Sequence, residues 1–416
     1  MAGELTGRLD WSVKGAPGGD TSIEDLLARR PSLFDAGFLF PLLVLKDSAL
    51  RSNAAAMRAF CERQGARLAP HGKTHMSPQL AQRQLEDGAW GITVATTSQA
   101  RVYRAAGVPR IFMANELVDP AGIRWVAEQL SDPDFEFLCY VDSVAGVRLL
   151  AEQLGAVRRP LDVLVEVGPV GARTGCRTVA EAARVASAAA AEPSLRVRGV
   201  SGYEGGFGHG DTPDDEVLEA CRAYLRFARE AGEAIAKFVP DDTEFLASAG
   251  GSVYFDLVAE TFGSGWNLDR PVTTVLRSGC YLVHDSGSYR RQTPFGRSID
   301  GELVPAMHVW GLVLSQPEPG LALVGMGRRD VSFDIDLPFV ESVRHRDGTS
   351  GSADGVTVSA LNDQHAYLRF DGESPVSVGD LVSFGISHPC TCFDKWQFIP
   401  VIDDDDRVID YVRTYF

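Results

Sequence analysis

The sequence predicts an α/β protein, a TIM (β/α)8 barrel followed by a mostly β C-terminal domain. Three observations predict it. Eight short β-rich runs alternate with helix-like segments over roughly the first 270 residues. After about Pro271 the helical texture stops and Gly-punctuated β-type segments replace it. The 416 residues are 45% hydrophobic and 23% charged, a globular composition that suits two or three domains at about 150 residues each.

The eight runs are Leu42–Lys46, Arg67–Gly72, Gly91–Thr96, Arg110–Ala114, Glu136–Val141, Leu161–Val167, Arg196–Gly202 and Phe245–Ala249. The intervals between them are rich in Ala, Leu, Arg, Glu and Gln, all good helix formers. Helix starts are marked by Asp47 or Ser48, by Ser77-Pro78, by Ser98 and by Asp119-Pro120. A doubly wound open sheet would alternate in the same way, and the strand count favours the closed barrel. Residues 1–36 are expected to form an N-terminal extension packed on the C-terminal domain, 37–270 the barrel and 271–416 the β-rich domain. In that last part Ala306–Leu314, Leu321–Gly325, Val356–Leu361, Ala366–Phe370 and Leu381–Ile386 read as strands, and His345–Gly355 as an exposed loop.

A formal net charge of -16 and a pI near 5.0 argue against a nucleic-acid partner or an anionic membrane surface, so the expected partner is a small molecule. Seven cysteines scattered through the chain read as free thiols in a reducing compartment. No secretory pattern opens the chain, and the apolar run Phe38–Leu45 is broken by Pro41 and too short to span a bilayer. The expected location is the cytoplasm.

The chemistry is expected at Pro70-His71-Gly72-Lys73-Thr74-His75, where a strand-like run ends in a lysine bracketed by two imidazoles. In an extended segment alternate side chains share a face, so His71, Lys73 and His75 would project together. A helix starts directly afterwards at Ser77-Pro78, which places Lys73 at the exit end of a strand, where α/β proteins collect catalytic groups. Desolvation and nearby like charge can lower an ammonium pKa, and a neutral amine is what Schiff-base formation with a carbonyl requires. The plain alternative is a solvated lysine at a strand end.

Three more loops would open on the same mouth. Gly168–Cys176 is glycine-rich and presents Arg173, or is simply a βα turn. Gly202-Tyr203-Glu204-Gly205-Gly206, with His209 beyond, offers a tyrosine and a carboxylate, or packed structure. Ala249-Gly250-Gly251-Ser252 precedes a short helix at Val253–Thr261, and small residues at a helix N-terminus expose amide groups to an anion. Loops after the last barrel strands commonly take phosphate, which points to a phosphorylated cofactor. In the second domain, His388-Pro389-Cys390-Thr391-Cys392-Phe393-Asp394 would, if extended, line up positions 388, 390 and 392. Imidazole with thiolate suits zinc, and two protein ligands leave positions open for substrate. Cys392 and Asp394 are alternative ligands, and a buried small hydrophobe is the plain reading of a cysteine. Asp403–Asp406 reads as a solvated turn.

Taken together, the Lys73 motif, Gly91–Thr96, Arg173-Thr174-Gly175, Gly202-Tyr203-Glu204-Gly205, Ala249–Ser252, Arg277-Ser278-Gly279-Cys280-Tyr281 and His388-Pro389-Cys390 resemble the D-serine dehydratase and D-threonine aldolase family, from about residue 37 to the C-terminus. The resemblance implies a fold type III pyridoxal-phosphate enzyme with the alanine-racemase fold, a homodimer with its site near the subunit interface. It implies that Lys73 carries the cofactor as a Schiff base beside His71, with Arg173 by the phenolic oxygen and Tyr203 near the pyridine ring. Gly250, Gly251 and Ser252 would hold the phosphate with Gly279 and Cys280, and Tyr281 completes that set. His388 and Cys390 would bind a divalent metal, zinc ahead of manganese or magnesium. The implied activity is metal-assisted dehydration of D-serine, or a similar D-β-hydroxy amino acid, to a keto acid and ammonia, because the resembling aldolases tend to replace the thiolate by a carboxylate. The alternatives are D-threo-3-hydroxyaspartate as substrate, a D-threonine aldolase releasing glycine and an aldehyde, a racemase with a second acid/base, or a non-catalytic pyridoxal-phosphate carrier.

Overall fold

The computed structural model describes residues 7–17, 21–208 and 211–416. Eight parallel strands form one sheet: Arg67–Leu68, Ile92–Val94, Arg110–Glu116, Glu136–Val141, Leu161–Val167, Leu195–Gly202, Phe245–Ala249 and Val272–Leu276. Each lies beside its neighbours in sequence, and the last returns to the first through Val275 opposite Arg67 and Leu276 opposite Leu68. The remaining gap is closed by a bridge between His71 and Thr93, with Trp90 N–H donating to Leu68 O (2.7 Å) and Thr93 N–H to Pro70 O (2.9 Å). The sheet is therefore a ring with helices outside. Both faces of such strands are covered, which is why all seven residues of Leu161–Val167 are buried and apolar residues run on without alternation. Ala69, Phe112, Leu138, Tyr140, Leu164, Leu246 and Val275 fill the lumen, so the barrel is plugged below and can bind only at its mouth.

One expected barrel strand belongs elsewhere. Leu42–Lys46 pairs antiparallel with Met307–Glu318 (Leu45 opposite Met307) and parallel with Phe398–Ile402 (Leu45 opposite Val401). A strand covered on both sides reads alike in either sheet, so local pattern could not assign it. Its barrel place is taken by Val272–Leu276, which the sequence reading had put in the second domain. The boundaries at 37 and 270 shift accordingly: the barrel starts with the helix Asp47–Gln64 and runs through Leu276.

In the second domain, Met307–Glu318 is flanked by Leu381–Gly385 and Phe339–Arg344 on one side, and by Leu321–Val324, Ala366–Arg369 and Thr357–Leu361 on the other. The N-terminal segment lies against this domain. Lys14 Nζ sits 2.7 Å from Asp330 Oδ1 and 3.8 Å from the centre of the Trp396 ring, and Leu33 N–H donates to Asp406 O (2.8 Å). Helix caps follow the sequence signals in part. Ser77 Oγ accepts from Leu80 N–H (3.4 Å) with proline at the first turn, and Asp119 Oδ2 accepts from Gly122 N–H (2.7 Å). The third helix is capped by Thr96, two residues before the expected Ser98. Among the described residues no helix is long and apolar enough to cross a membrane.

Candidate active site

Beyond Leu68 the chain does not stay extended. Gly72–Thr74 forms one 3-10 turn, with His71 Nδ1 accepting from the Lys73 amide (3.4 Å). A side chain at Gly72 would lie 2.6 Å from the Tyr103 ring, whose hydroxyl donates to Gly72 O (2.7 Å), so glycine is required for this close approach. The turn separates the two histidines. His75 points into the protein, its Nδ1 accepting from Ser77 N–H (3.0 Å) and its Nε2 facing Gln84 Oε1 (3.3 Å), and burial pushes its pKa down to about 4. The expected common face of His71, Lys73 and His75 is thus reduced to His71 and Lys73.

Those two line a cavity of about 210 Å³ at the barrel mouth, with Lys73 exposed to it. Arg173, Tyr203 and Gly251 line the same cavity, and the Arg173 guanidinium lies 4.0 Å over the Tyr203 ring. Arg277 also lines it and is buried. It donates to Ser248 Oγ (2.6 Å), Gly202 O (2.6 Å) and Ser201 Oγ (3.3 Å). Burial first, then the charges of Lys73, Arg277 and Arg173, hold the His71 pKa well below the usual imidazole value. His71 is therefore a neutral ring at pH 7. A larger hollow of about 710 Å³ lies on the outer surface by Trp125 and Tyr415, away from these groups.

The glycine loop is less free than expected. Gly250 N–H and Gly251 N–H donate to the fully buried Glu204 carboxylate, at 3.0 Å and 2.5 Å. Those two amides are thus removed from the expected phosphate donors, and Glu204 instead fixes the loop in shape. Ser252 Oγ accepts from Cys280 N–H (3.3 Å), which ties this loop to Gly279-Cys280. A side chain at Gly279 would strike His71 O at 2.6 Å and Thr74 Oγ1 at 2.8 Å. The helix begins at Phe255 and not at Val253. Tyr281 is not at the cavity: two residues past the tight approach at Gly279 its ring is buried in the barrel wall, and its hydroxyl accepts from Gln84 Nε2 (3.2 Å). His209 lies outside the described residues.

Sequence reasoning missed the acid side of the site. Glu166 lines the cavity and is buried, and Glu116 and Asp142 lie near it. Both Glu116 carboxyl oxygens and Glu166 Oε2 are buried without a hydrogen-bond partner in the structure. Burial, and next the Glu166 charge, raises the Glu116 pKa to about 8, so the pair holds a proton at pH 7. Tyr140, beside them, is pushed up to about 12 by burial. These residues occupy three successive strands or strand ends, a neighbourhood that only the closed ring creates.

The second domain reaches the same region through Cys390, whose Sγ lies 3.5 Å from Thr74 Oγ1, next to Lys73 in the chain. Cys390–Phe393 is a short helix, not an extended run, so positions 388, 390 and 392 do not line up. Cys392 is buried and its thiol donates to Asp330 O (3.7 Å), and Asp394 pairs with Lys395 (3.4 Å), which takes both out of the ligand set. His388 adopts φ 67° and donates its amide to Asp285 Oδ2 (2.9 Å), while its Nδ1 bonds Asp334 Oδ2 (2.5 Å). Asp334, 54 positions from His388, was missed as well. So was Tyr289, whose pKa is raised first by the neighbouring Cys280 sulfur, then by burial. Cys390 is lowered to about 7 by the hydrogen bond with Cys280 first, then by Thr74.

A barrel followed by a β domain is also the architecture that comparison with known proteins identifies. The alanine racemase N-terminal domain model matches residues 46–253, and the putative serine dehydratase domain model matches residues 306–402. The chain is 30% identical over 334 residues to the D-threo-3-hydroxyaspartate dehydratase of Delftia sp. (strain HT23), covering 71% of this chain and 86% of that protein. The chain belongs to the fold type III pyridoxal-phosphate family. It is also 26% identical over 367 residues to the D-threonine aldolase of Arthrobacter sp, covering 88% and 89% of the two chains. Among solved structures, the D-threonine aldolase from Filomicrobium marinum superimposes with a TM-score of 0.76 at 24% identity, over 91% of this chain and 95% of that one.

The residues present fit the family's cofactor. An amine, two guanidinium groups, the flat rings of His71 and Tyr203 and a cup where Gly279 admits no Cβ surround one cavity. In this member of the fold type III family, Lys73 would hold the aldehyde carbon, Arg173 and Tyr203 the ring, and the Ser252 hydroxyl with the Gly279 backbone the phosphate. For a divalent metal the donor chemistry also fits. His388 carries its outer hydrogen bond to a carboxylate, the arrangement that orients a metal-binding imidazole, and Cys390 is a thiol poised to ionise.

Proposed function

We propose that the protein is a pyridoxal-phosphate-dependent lyase that dehydrates and deaminates a D-β-hydroxy amino acid, D-serine or a close analogue, to a keto acid and ammonia. The observation that carries the proposal is the join at Thr74. The turn that presents Lys73 to the cavity also touches Cys390, so the amine and the His-x-Cys turn serve one site.

When bound, pyridoxal phosphate supplies an electron sink for charge developing at the substrate Cα. Lys73 Nζ, which faces the cavity, is the base that takes the Cα proton, and the adjacent His71, held neutral, sets no further cation beside it. Arg173, stacked on Tyr203, offers a cation that fixes an anionic oxygen at the mouth. Arg277, held by three acceptors, sets the floor without moving. A divalent ion at His388 and Cys390 would make hydroxide a better leaving group through Lewis-acid polarisation, and thiolate favours zinc over manganese or magnesium. Loss of the Cα proton and of hydroxide gives the enamine, which water hydrolyses to the keto acid and ammonia. Support comes from D-threo-3-hydroxyaspartate dehydratase, which has been solved as a His-to-Ala variant and as a Cys-to-Ala variant in the metal-free form, at positions two apart as His388 and Cys390 are.

The second reading is retro-aldol cleavage, favoured by likeness to the Arthrobacter D-threonine aldolase and, at 29% identity over 355 residues, to the 3-hydroxy-D-aspartate aldolase of Paracoccus denitrificans. A panel of D-serine, D-threonine and D-threo-3-hydroxyaspartate, assayed for ammonia plus keto acid against glycine plus aldehyde, separates the two. Ammonia and pyruvate from D-serine are expected. Glycine and aldehyde as the dominant products would replace the dehydratase reading.

A further inference from the structure

We propose that Cys280 is itself a ligand of the divalent metal, sharing it with Cys390. The inference rests on the metal reading above and deepens it. Cys280 stands in the loop that follows the last barrel strand, and Cys390 opens the short helix Cys390–Phe393 of the second domain. Their Sγ atoms are 3.8 Å apart. Two sulfurs at about 2.3 Å from a tetrahedral zinc stand about 3.8 Å from each other, the edge of that tetrahedron. The two thiols therefore already have the separation that one ion imposes, although they come from different domains, 110 positions apart.

The surroundings agree. Thr74 Oγ1 lies 3.8 Å from Cys280 Sγ and 3.5 Å from Cys390 Sγ, placed to donate to either sulfur once it is a thiolate, as partners of metal-bound ligands do. The tie between Cys280 and the Ser252 loop is made by its amide, which meets Ser252 Oγ, and its thiol faces Cys390 and Thr74. Among the described residues no three His, Cys, Asp or Glu side chains already converge on one point. The geometry supplies two sulfur corners. His388, whose ring Asp334 orients, would supply a third, and the fourth is left for the substrate hydroxyl. Two thiolates, an imidazole and one open position form a ligand set for zinc in a catalytic role, and a poor one for magnesium.

Zinc K-edge X-ray absorption fine structure on the zinc-loaded holoenzyme counts the sulfur neighbours directly. Two sulfurs at about 2.3 Å are expected for the unmodified protein, and one in each of Cys280→Ser and Cys390→Ser. Zinc affinity of Cys280→Ser, read by competition with a chelating dye, should fall at least about 100-fold, while the visible cofactor band persists. A single sulfur in the unmodified protein, lost only in Cys390→Ser, overturns the assignment of Cys280 and leaves the His388–Cys390 site standing. Failure of the unmodified holoenzyme to retain zinc overturns both. The sulfur count of the unmodified protein decides the matter even where a variant folds poorly.

Discussion

The barrel wall that lines the cavity and the second-domain wall that meets it at Thr74 are built on different principles. On the barrel side, Lys73, Glu166, Tyr203, Gly251 and Arg277 stand at or just beyond the ends of strands locked in a closed ring, so backbone register fixes where they point. On the other side, His388 sits in a left-handed turn (φ 67°), a conformation costly for a residue with a Cβ, and is held there by Asp285 and Asp334. One wall is positioned by the sheet and the other by side-chain hydrogen bonds from distant carboxylates. The difference implies that the cofactor half and the metal half can be damaged separately.

The sharpest break in that comparison is Lys73→Ala. It should lower turnover by about 10⁴-fold or more and abolish covalent trapping of the cofactor by borohydride, while zinc content is unchanged. A borohydride adduct that persists in the variant would remove Lys73 from its role. A smaller effect is expected from the other wall. Asp334→Asn should weaken metal binding by about 10- to 100-fold, because the imidazole loses its orienting carboxylate, and should leave the visible band of the bound cofactor as it was. Loss of that band would show that the halves are not independent. The smallest effect concerns the acid pair behind the cavity. Glu116 has its pKa raised from 4.5 to about 8, so between those values the folded chain keeps a proton that the unfolded chain has released. Stability from this group therefore falls as pH rises through that window, by at most about 1.4 kcal/mol per pH unit for one proton. Glu116→Gln should flatten the fall, measured as urea midpoints from pH 5 to 8, and an unchanged slope would place the proton elsewhere.

The cofactor wall was largely legible beforehand because its signals are local. A lysine between imidazoles ahead of a Ser-Pro helix start, and a Gly-Gly-Ser loop after a buried strand, each announce themselves within ten residues, and Lys73, His71, Arg173, Tyr203 and Gly251 do line one cavity. The other wall was not legible in the same way. The 3-10 turn removed His75 from the site, the helix at Cys390 removed Cys392, and Tyr281 turned into the barrel wall. Glu204 was noted as a carboxylate near the mouth, but nothing local showed that it would occupy the Gly250 and Gly251 amides, 46 and 47 positions away.

The sequence by itself determined most of the barrel's strands and helices, that a lysine would follow one strand at the barrel mouth, and the order in which the motifs follow, because these depend on neighbours within a few residues. Only the tertiary structure decided that Leu42–Lys46 joins the second domain, that Val272–Leu276 closes the barrel, and that Cys280 meets Cys390. The physical reason is that burial on both faces erases the periodicity that would distinguish one sheet from another, and a contact across 110 positions carries no mark in either of the short segments that make it.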